Sequence, residues 1–151
     1  MPHAYLTIDD SPSPETDQLT TWLAENNIPA LLFCRGDRLT ENRAAIVEAI
    51  GRGFVIGNHA FSHSRFSELS FEEGIEEIKQ TERLIDAAYQ DADITRPGKY
   101  FRFPHMDRGA GGWVVDYEAA GPHKDKLLQL FGEGLNIDLT PPDQGLIAKK
   151  E

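Results

Sequence analysis

Apolar residues in this chain come in short runs, separated by stretches where they recur every three or four positions. The runs are Ala4-Tyr5-Leu6-Thr7-Ile8, Pro29-Ala30-Leu31-Leu32-Phe33-Cys34, Phe54-Val55-Ile56-Gly57, Tyr100-Phe101-Arg102-Phe103 and Gly134-Leu135-Asn136-Ile137-Asp138-Leu139. Runs of this length read as strands, and the continuous ones suit strands buried on both faces. Helical periods lie between them. Ser13-Pro14-Glu15 predicts a helix start with Ser13 as cap, an apolar face of Leu19, Trp22 and Leu23, and an end at Asn26-Asn27. Gly36-Asp37 predicts a turn, and Thr40 a cap for a helix with apolar positions Ala44, Ile46, Val47 and Ile50, closed by Gly51 and Gly53. Ser70-Phe71-Glu72-Glu73 predicts a capping box opening a long helix with Phe71, Ile75, Ile78, Ile85 and Ala88 on one stripe. A loop is expected from Asp91 to Lys99, and a further helix over 124–131. Strand and helix alternate, which predicts an α/β fold with parallel strands.

In such folds the strand ends form the rim where sites are built. The first run is expected to stop at Asp9-Asp10, before a Ser-Pro-Ser-Pro turn. Successive strand side chains point to opposite sides, so the two carboxylates should have different roles. The alternative is two solvated turn residues. The third run delivers His59 and His63, four residues apart. If that segment turns helically, both imidazoles lie on one face and present two nitrogen ligands to a metal, with Asp10 as a third. Two surface histidines in a polar loop are the alternative. Arg102, at the end of the fourth run, needs a carboxylate partner if buried, and Asp9 is the natural one. Asp9 would then be oriented to accept a proton. A surface arginine on a strand edge is the competing reading. Pro104-His105 fits a tight turn whose backbone N–H groups face a developing oxyanion.

Composition narrows the partners. The chain has 151 residues and is 40% hydrophobic, the size and apolar content of one domain with a real core. A formal net charge of −10 argues against nucleic-acid and membrane-surface partners. No apolar run has transmembrane length. Neither a basic segment nor an apolar one precedes the first strand, so a cytoplasmic protein is expected; a secreted or periplasmic one is expected if a leader has been removed. The single cysteine, Cys34, cannot form an internal disulfide, which favours a reducing compartment.

Three segments together carry a resemblance. Thr7-Ile8-Asp9-Asp10-Ser11-Pro12, His59-Ala60-Phe61-Ser62-His63 and Arg102-Phe103-Pro104-His105 resemble, in order, the first three motifs of the polysaccharide deacetylases, the NodB-homology enzymes of carbohydrate esterase family 4. The resemblance covers about residues 4–108. It implies an irregular (β/α) barrel of about seven strands, here a single domain over 1–151 that lacks its C-terminal strands. It implies Asp9 as catalytic base and Asp10, His59 and His63 as ligands of one divalent metal, commonly zinc. It implies Arg102 as the residue orienting the base, and Pro104 and the His105 backbone N–H at the oxyanion and substrate. The implied reaction is hydrolysis of an N- or O-acetyl group on a carbohydrate or small amide, by attack of metal-bound water.

The chain also departs from that pattern. Ser11 stands where the family usually has Gly, Ala60 where it has Ser or Thr, and His105 where it has Tyr. Asn136-Ile137-Asp138 and Asp143 only faintly resemble the fourth motif, without its tryptophan. The fifth motif, with a histidine acting as general acid, is absent, and His123 falls too early for it. Three readings follow: a metal-dependent deacetylase, a catalytically impaired relative that binds carbohydrate without cleaving it, and, a distant third, a structural or interaction role unconnected with metal. A barrel left open at its edges also favours self-association.

Overall fold

A computed structural model describes residues 6–107 and the backbone of 138–139. The strands are β1 (Leu6–Ser11), β2 (Ala30–Cys34), β3 (Val55–Asn58), β4 (Tyr100–Phe101) and β5 (Asp138–Leu139). They form one sheet in the order β1-β2-β3-β4-β5, with every pairing parallel. The helices α1 (Thr16–Glu25), α2 (Gly36–Gly51) and α3 (Phe71–Asp91) lie in the first three crossovers. Right-handed crossovers between neighbouring parallel strands put all their helices on one face of the sheet. That is the winding of a (β/α) barrel, in which the opposite face becomes the interior.

The main core lies between sheet and helices. Leu32, Cys34 and Ile56 meet Leu23, Leu39, Ile46, Ile50, Ile85 and Tyr89 there. On the opposite face Leu31 and Phe33 are equally buried, so β2 is covered on both sides as its apolar run predicts. A second cluster of Ala60, Phe66, Ile78, Phe101 and Phe103 sits beneath the loop after β3. Its three phenylalanines pack edge to face, with centroids 4.9–5.9 Å apart. Burial of each such ring contributes roughly 1.5–3 kcal/mol, several times the roughly 0–1 kcal/mol of an exposed pair such as Arg43–Asp91. The apolar layers therefore fix where the strand ends lie.

Several local expectations are corrected. β1 does not stop at Asp9-Asp10 but runs one residue further, to Ser11. Ser13 is not the cap of α1, which begins at Thr16; the Ser13 N–H instead donates to Thr16 Oγ1 at 2.7 Å, closing a turn before the helix. Thr40 caps nothing, because α2 already begins at Gly36, and its irregularity falls at Asn42. β4 ends at Phe101, and Pro104–Met106 form a 3-10 turn. The capping box at Ser70 and Glu73 is present in both directions. Among described residues β5 comprises two of the six positions expected of the fifth strand. The expected helix over 124–131, a glycine-rich loop read at Gly109-Ala110-Gly111-Gly112, His123 and Asp143 lie outside the described residues.

Candidate metal centre

The end of β1 carries a bulge. Ile8 pairs with Leu32 and Ser11 with Cys34, so Asp9 and Asp10 together oppose Phe33. Asp10 takes a left-handed backbone at φ 63°. One extra residue breaks the alternation of side chains. The two carboxylates therefore converge on one site instead of facing opposite sides, while keeping different partners. Asp9 Oδ1 accepts from Arg102 Nη1 at 2.7 Å. Asp10 Oδ1 lies 3.1 Å from His63 Nε2 and 4.0 Å from His59 Nε2. The Arg38 guanidinium donates to the Asp10 carbonyl oxygen and ties the bulge to α2.

The two histidines are not presented by a helical turn. Residues 59–65 form a loop, with Ala60 and His63 both at φ 63°. The loop takes its shape from what holds it. The His59 N–H donates to the Cys34 carbonyl at 2.9 Å, and the first two N–H groups of α2, on Gly36 and Asp37, donate to Ala60 and Phe61 at 3.0 Å. Gly36 is required by this close approach, since a Cβ there would lie 2.4 Å from the Phe61 ring. His59 Nδ1 lies 2.8 Å from the Arg102 carbonyl oxygen. A carbonyl only accepts, so Nδ1 carries the proton and Nε2 keeps its lone pair toward Asp10.

That arrangement calls for a cation. Asp10 Oδ1 is buried and accepts no hydrogen bond, although its neighbours are imidazole nitrogens. Burial pushes both His59 and His63 below the ordinary histidine value, overriding the pull of Asp9 and Asp10 on His59 and of Asp10 on His63. With His59 neutral, a carboxylate oxygen faces a nitrogen lone pair. The three ligand atoms lie within 4.8 Å of one another, so one ion can be shared among them. One carboxylate and two imidazoles suit a borderline divalent ion such as zinc.

Arg102 is the second organiser. It is 8% exposed; Nη1 donates also to Thr7 Oγ1 at 3.0 Å, and the guanidinium lies 4.3 Å over the Phe33 ring. Gly57 makes room for that ring, since a Cβ would lie 2.8 Å from it. Buried Pro104 opens the 3-10 turn and exposed His105 follows at φ 55°. His105 Nε2 donates to the His63 carbonyl at 3.1 Å, and the two rings lie 4.4 Å apart. Asp9, Asp10, His59, His63, Arg102, Pro104 and His105 thus come together at the ends of β1, β3 and β4.

Sequence reasoning passed over the residues that hold this loop from below. Glu77 of α3 accepts from the N–H groups of Phe61 and Ser62 at 2.9 and 2.8 Å, and from Ser62 Oγ at 2.8 Å. Glu82 accepts from the Asn58 amide at 2.9 Å. The signal for Glu82 was available: it lies four residues after Ile78 and three before Ile85, a charge on the buried stripe of its helix.

A singly wound parallel sheet with a ligand cluster at its strand ends defines the class as a (β/α)-barrel protein with a candidate metal centre. Comparison with known proteins narrows this. Residues 1–111 match the polysaccharide deacetylase family, and the chain belongs to that family. It is 29% identical over 113 residues to a chitooligosaccharide deacetylase of Rhizobium leguminosarum bv. trifolii, covering 74% of this chain and 48% of that protein. It is 30% identical over 95 residues to a peptidoglycan-N-acetylglucosamine deacetylase of Bacillus cereus, covering 61% of this chain and 34% of that one. Among solved structures, a family 4 carbohydrate esterase from Streptomyces lividans in complex with acetate superposes with a TM-score of 0.61. The identity is 27%, over 69% of this chain and 52% of that one. The chain spans about half or less of the length of these curated relatives. No helix among the described residues is long and apolar enough to cross a membrane.

Proposed function

We propose that this chain hydrolyses acetyl groups from an N-acetylated glycan of the chitooligosaccharide or peptidoglycan kind, using one divalent ion, zinc, held by Asp10, His59 and His63. The observation that carries the reading is the division of labour between adjacent carboxylates. Asp10 Oδ1 is buried without a hydrogen bond between two imidazoles, while Asp9 is held by Arg102. When bound, the ion supplies Lewis acidity to the acetyl carbonyl and acidifies water.

The chain's own residues do the rest. His59, fixed through Nδ1, offers Nε2 as a ligand. Arg102 and Thr7 keep Asp9 aimed, and Asp9 takes the proton of the attacking water. The carboxyl group of Asp9 is 37% exposed, so substrate and water reach it from the rim. The backbone N–H of His105, in its left-handed turn, faces the oxygen on which charge develops. Substrate class follows from what the similar proteins are named for, carried over to this chain.

The test is metal content and acetate release in the same preparation. Chelator-stripped protein reloaded with zinc should hold about one ion per chain and release acetate from N-acetylglucosamine oligomers. Asp10→Ala should lose both. Stoichiometric zinc with no acetate release would make the chain a carbohydrate-binding member instead. Equal release from stripped and reloaded protein would refute the metal's role.

A further inference from the structure

Glu82 is a carboxylate in an apolar layer, its side chain 6% exposed. Its Oε2 accepts from Arg96 Nη1 at 2.7 Å; its Oε1 accepts from Arg96 Nη2 at 3.2 Å and from Asn58 Nδ2 at 2.9 Å. Lys99 Nζ lies 3.6 Å from Oε2. A buried ion pair is weak evidence for stability, because well-packed apolar residues often do as well. What this pair reaches is more telling. Asn58 is fully buried, ends β3 and precedes His59.

The Asn58 amide is fully committed. Nδ2 donates to Glu82 and to the Ile78 carbonyl at 3.0 Å, which leaves Oδ1 to accept from the Ala60 N–H at 2.9 Å. Ala60 sits at φ 63°, a conformation disfavoured for any residue with a Cβ. The chain adopts it in the step between the two ligand histidines. Both oxygens of Glu82 accept, which only a carboxylate can do. Glutamine there must turn its NH₂ toward Arg96 in either orientation, and toward Asn58 as well in one of them, donor against donor, which loosens the grip that holds the Asn58 amide.

We infer that Glu82 is a positioning residue for the metal centre: gripped by Arg96, it orients the Asn58 amide, and Asn58 fixes the left-handed turn at Ala60 that aims His59. The inference rests on the metal site proposed above.

Zinc affinity of the full chain, measured by chelator competition, tests it alongside thermal melting. Glu82→Gln should bind zinc about 10–100-fold more weakly, the range for supporting groups around metal ligands. Asn58→Ala should lose a similar amount. The double variant should bind no worse than Asn58→Ala alone, because the two residues act in series. Ile85→Ala, a core change in α3 away from the loop, should lower the melting temperature and leave zinc affinity unchanged. Wild-type affinity in Glu82→Gln, additive losses in the double variant, or an equal loss in Ile85→Ala would each overturn the inference and leave Glu82 a merely stabilising residue. If Glu82→Gln fails to fold, Asn58→Ala keeps the Glu82–Arg96 pair and decides: unchanged affinity there overturns the inference. Wild-type protein that binds no zinc refutes the metal site itself, before any variant is compared.

Discussion

The Arg102 carbonyl oxygen accepts the Nδ1 hydrogen of His59 at 2.8 Å. The guanidinium of the same residue holds Asp9 at 2.7 Å. One residue therefore holds His59 through its backbone and Asp9 through its side chain; in the function proposed above these are the ligand side and the base side, and substitution separates the two. Arg102→Lys should keep zinc affinity, because the carbonyl remains, and lose activity by about 10²-fold, because one ammonium cannot reproduce the fixed guanidinium geometry. Asp9→Asn should likewise keep the metal and lose about 10²–10⁴-fold. Zinc titration and acetate release on each variant check this. If Asp9→Asn loses the metal, the two aspartates have been assigned the wrong way round.

A second prediction concerns acid. Burial raises the Asp37 carboxyl, but the Arg35 hydrogen bonds and charge, with the Arg38 N–H, outweigh it and hold the group below its ordinary value of 3.8. A depressed carboxylate contributes stability above its unfolded value and loses it as pH falls through the folded value. The melting-temperature gap between wild type and Asp37→Asn should therefore be constant near neutrality and shrink only below about pH 3.8. The side chain is 37% exposed, so screening keeps the effect within about 1 kcal/mol. A gap that closed between pH 5 and 8 would point to a different titrating group.

Cys34 gives a third. It is fully buried between β2 and the helices, and burial pushes its thiol far above the ordinary value of 9.0. Thiolate is the reactive form, so iodoacetamide should leave the native protein unmodified and label it fully in denaturant. Mass spectrometry reads the outcome. Rapid labelling of native protein would mean that β2 opens far more readily than its burial on both faces implies.

Much of this was legible in the sequence, because the strands of a parallel sheet are continuous apolar runs and their ends carry the chemistry. Leu31 to Cys34 announce a doubly buried strand, and Asp10, His59 and His63 gather where such strands end. What stayed hidden depends on backbone geometry that residue types do not declare. The bulge at Asp9 and Asp10 needs the register with β2. The left-handed turns at Ala60 and His63 occur in residues other than glycine, in a loop held by Asn58, Glu77 and the start of α2. The early start of α2 at Gly36 was masked by a glycine that reads as a turn, while its true reason is the Phe61 ring packed against it.

The last prediction concerns His105. Its Nε2–H is turned to the His63 carbonyl and its ring lies against the His63 ring, so the imidazole is already engaged in bracing His63. The backbone N–H, by contrast, belongs to a turn whose shape depends on φ 55° at this residue. Asparagine tolerates that conformation and removes the ring, so His105→Asn isolates the side chain without straining the turn. Its loss of activity should stay well under the roughly 10²-fold expected when an oxyanion donor is removed, with a small weakening of zinc binding from the lost brace on His63. Amide and ester substrates sharpen the comparison. An amine leaving group needs a proton far more than an alcohol does, so a proton carrier would show a much larger loss on the N-acetyl substrate than on its O-acetyl counterpart. Equal, small losses on both are the expected result. A large loss confined to the N-acetyl substrate would make the His105 imidazole the proton donor.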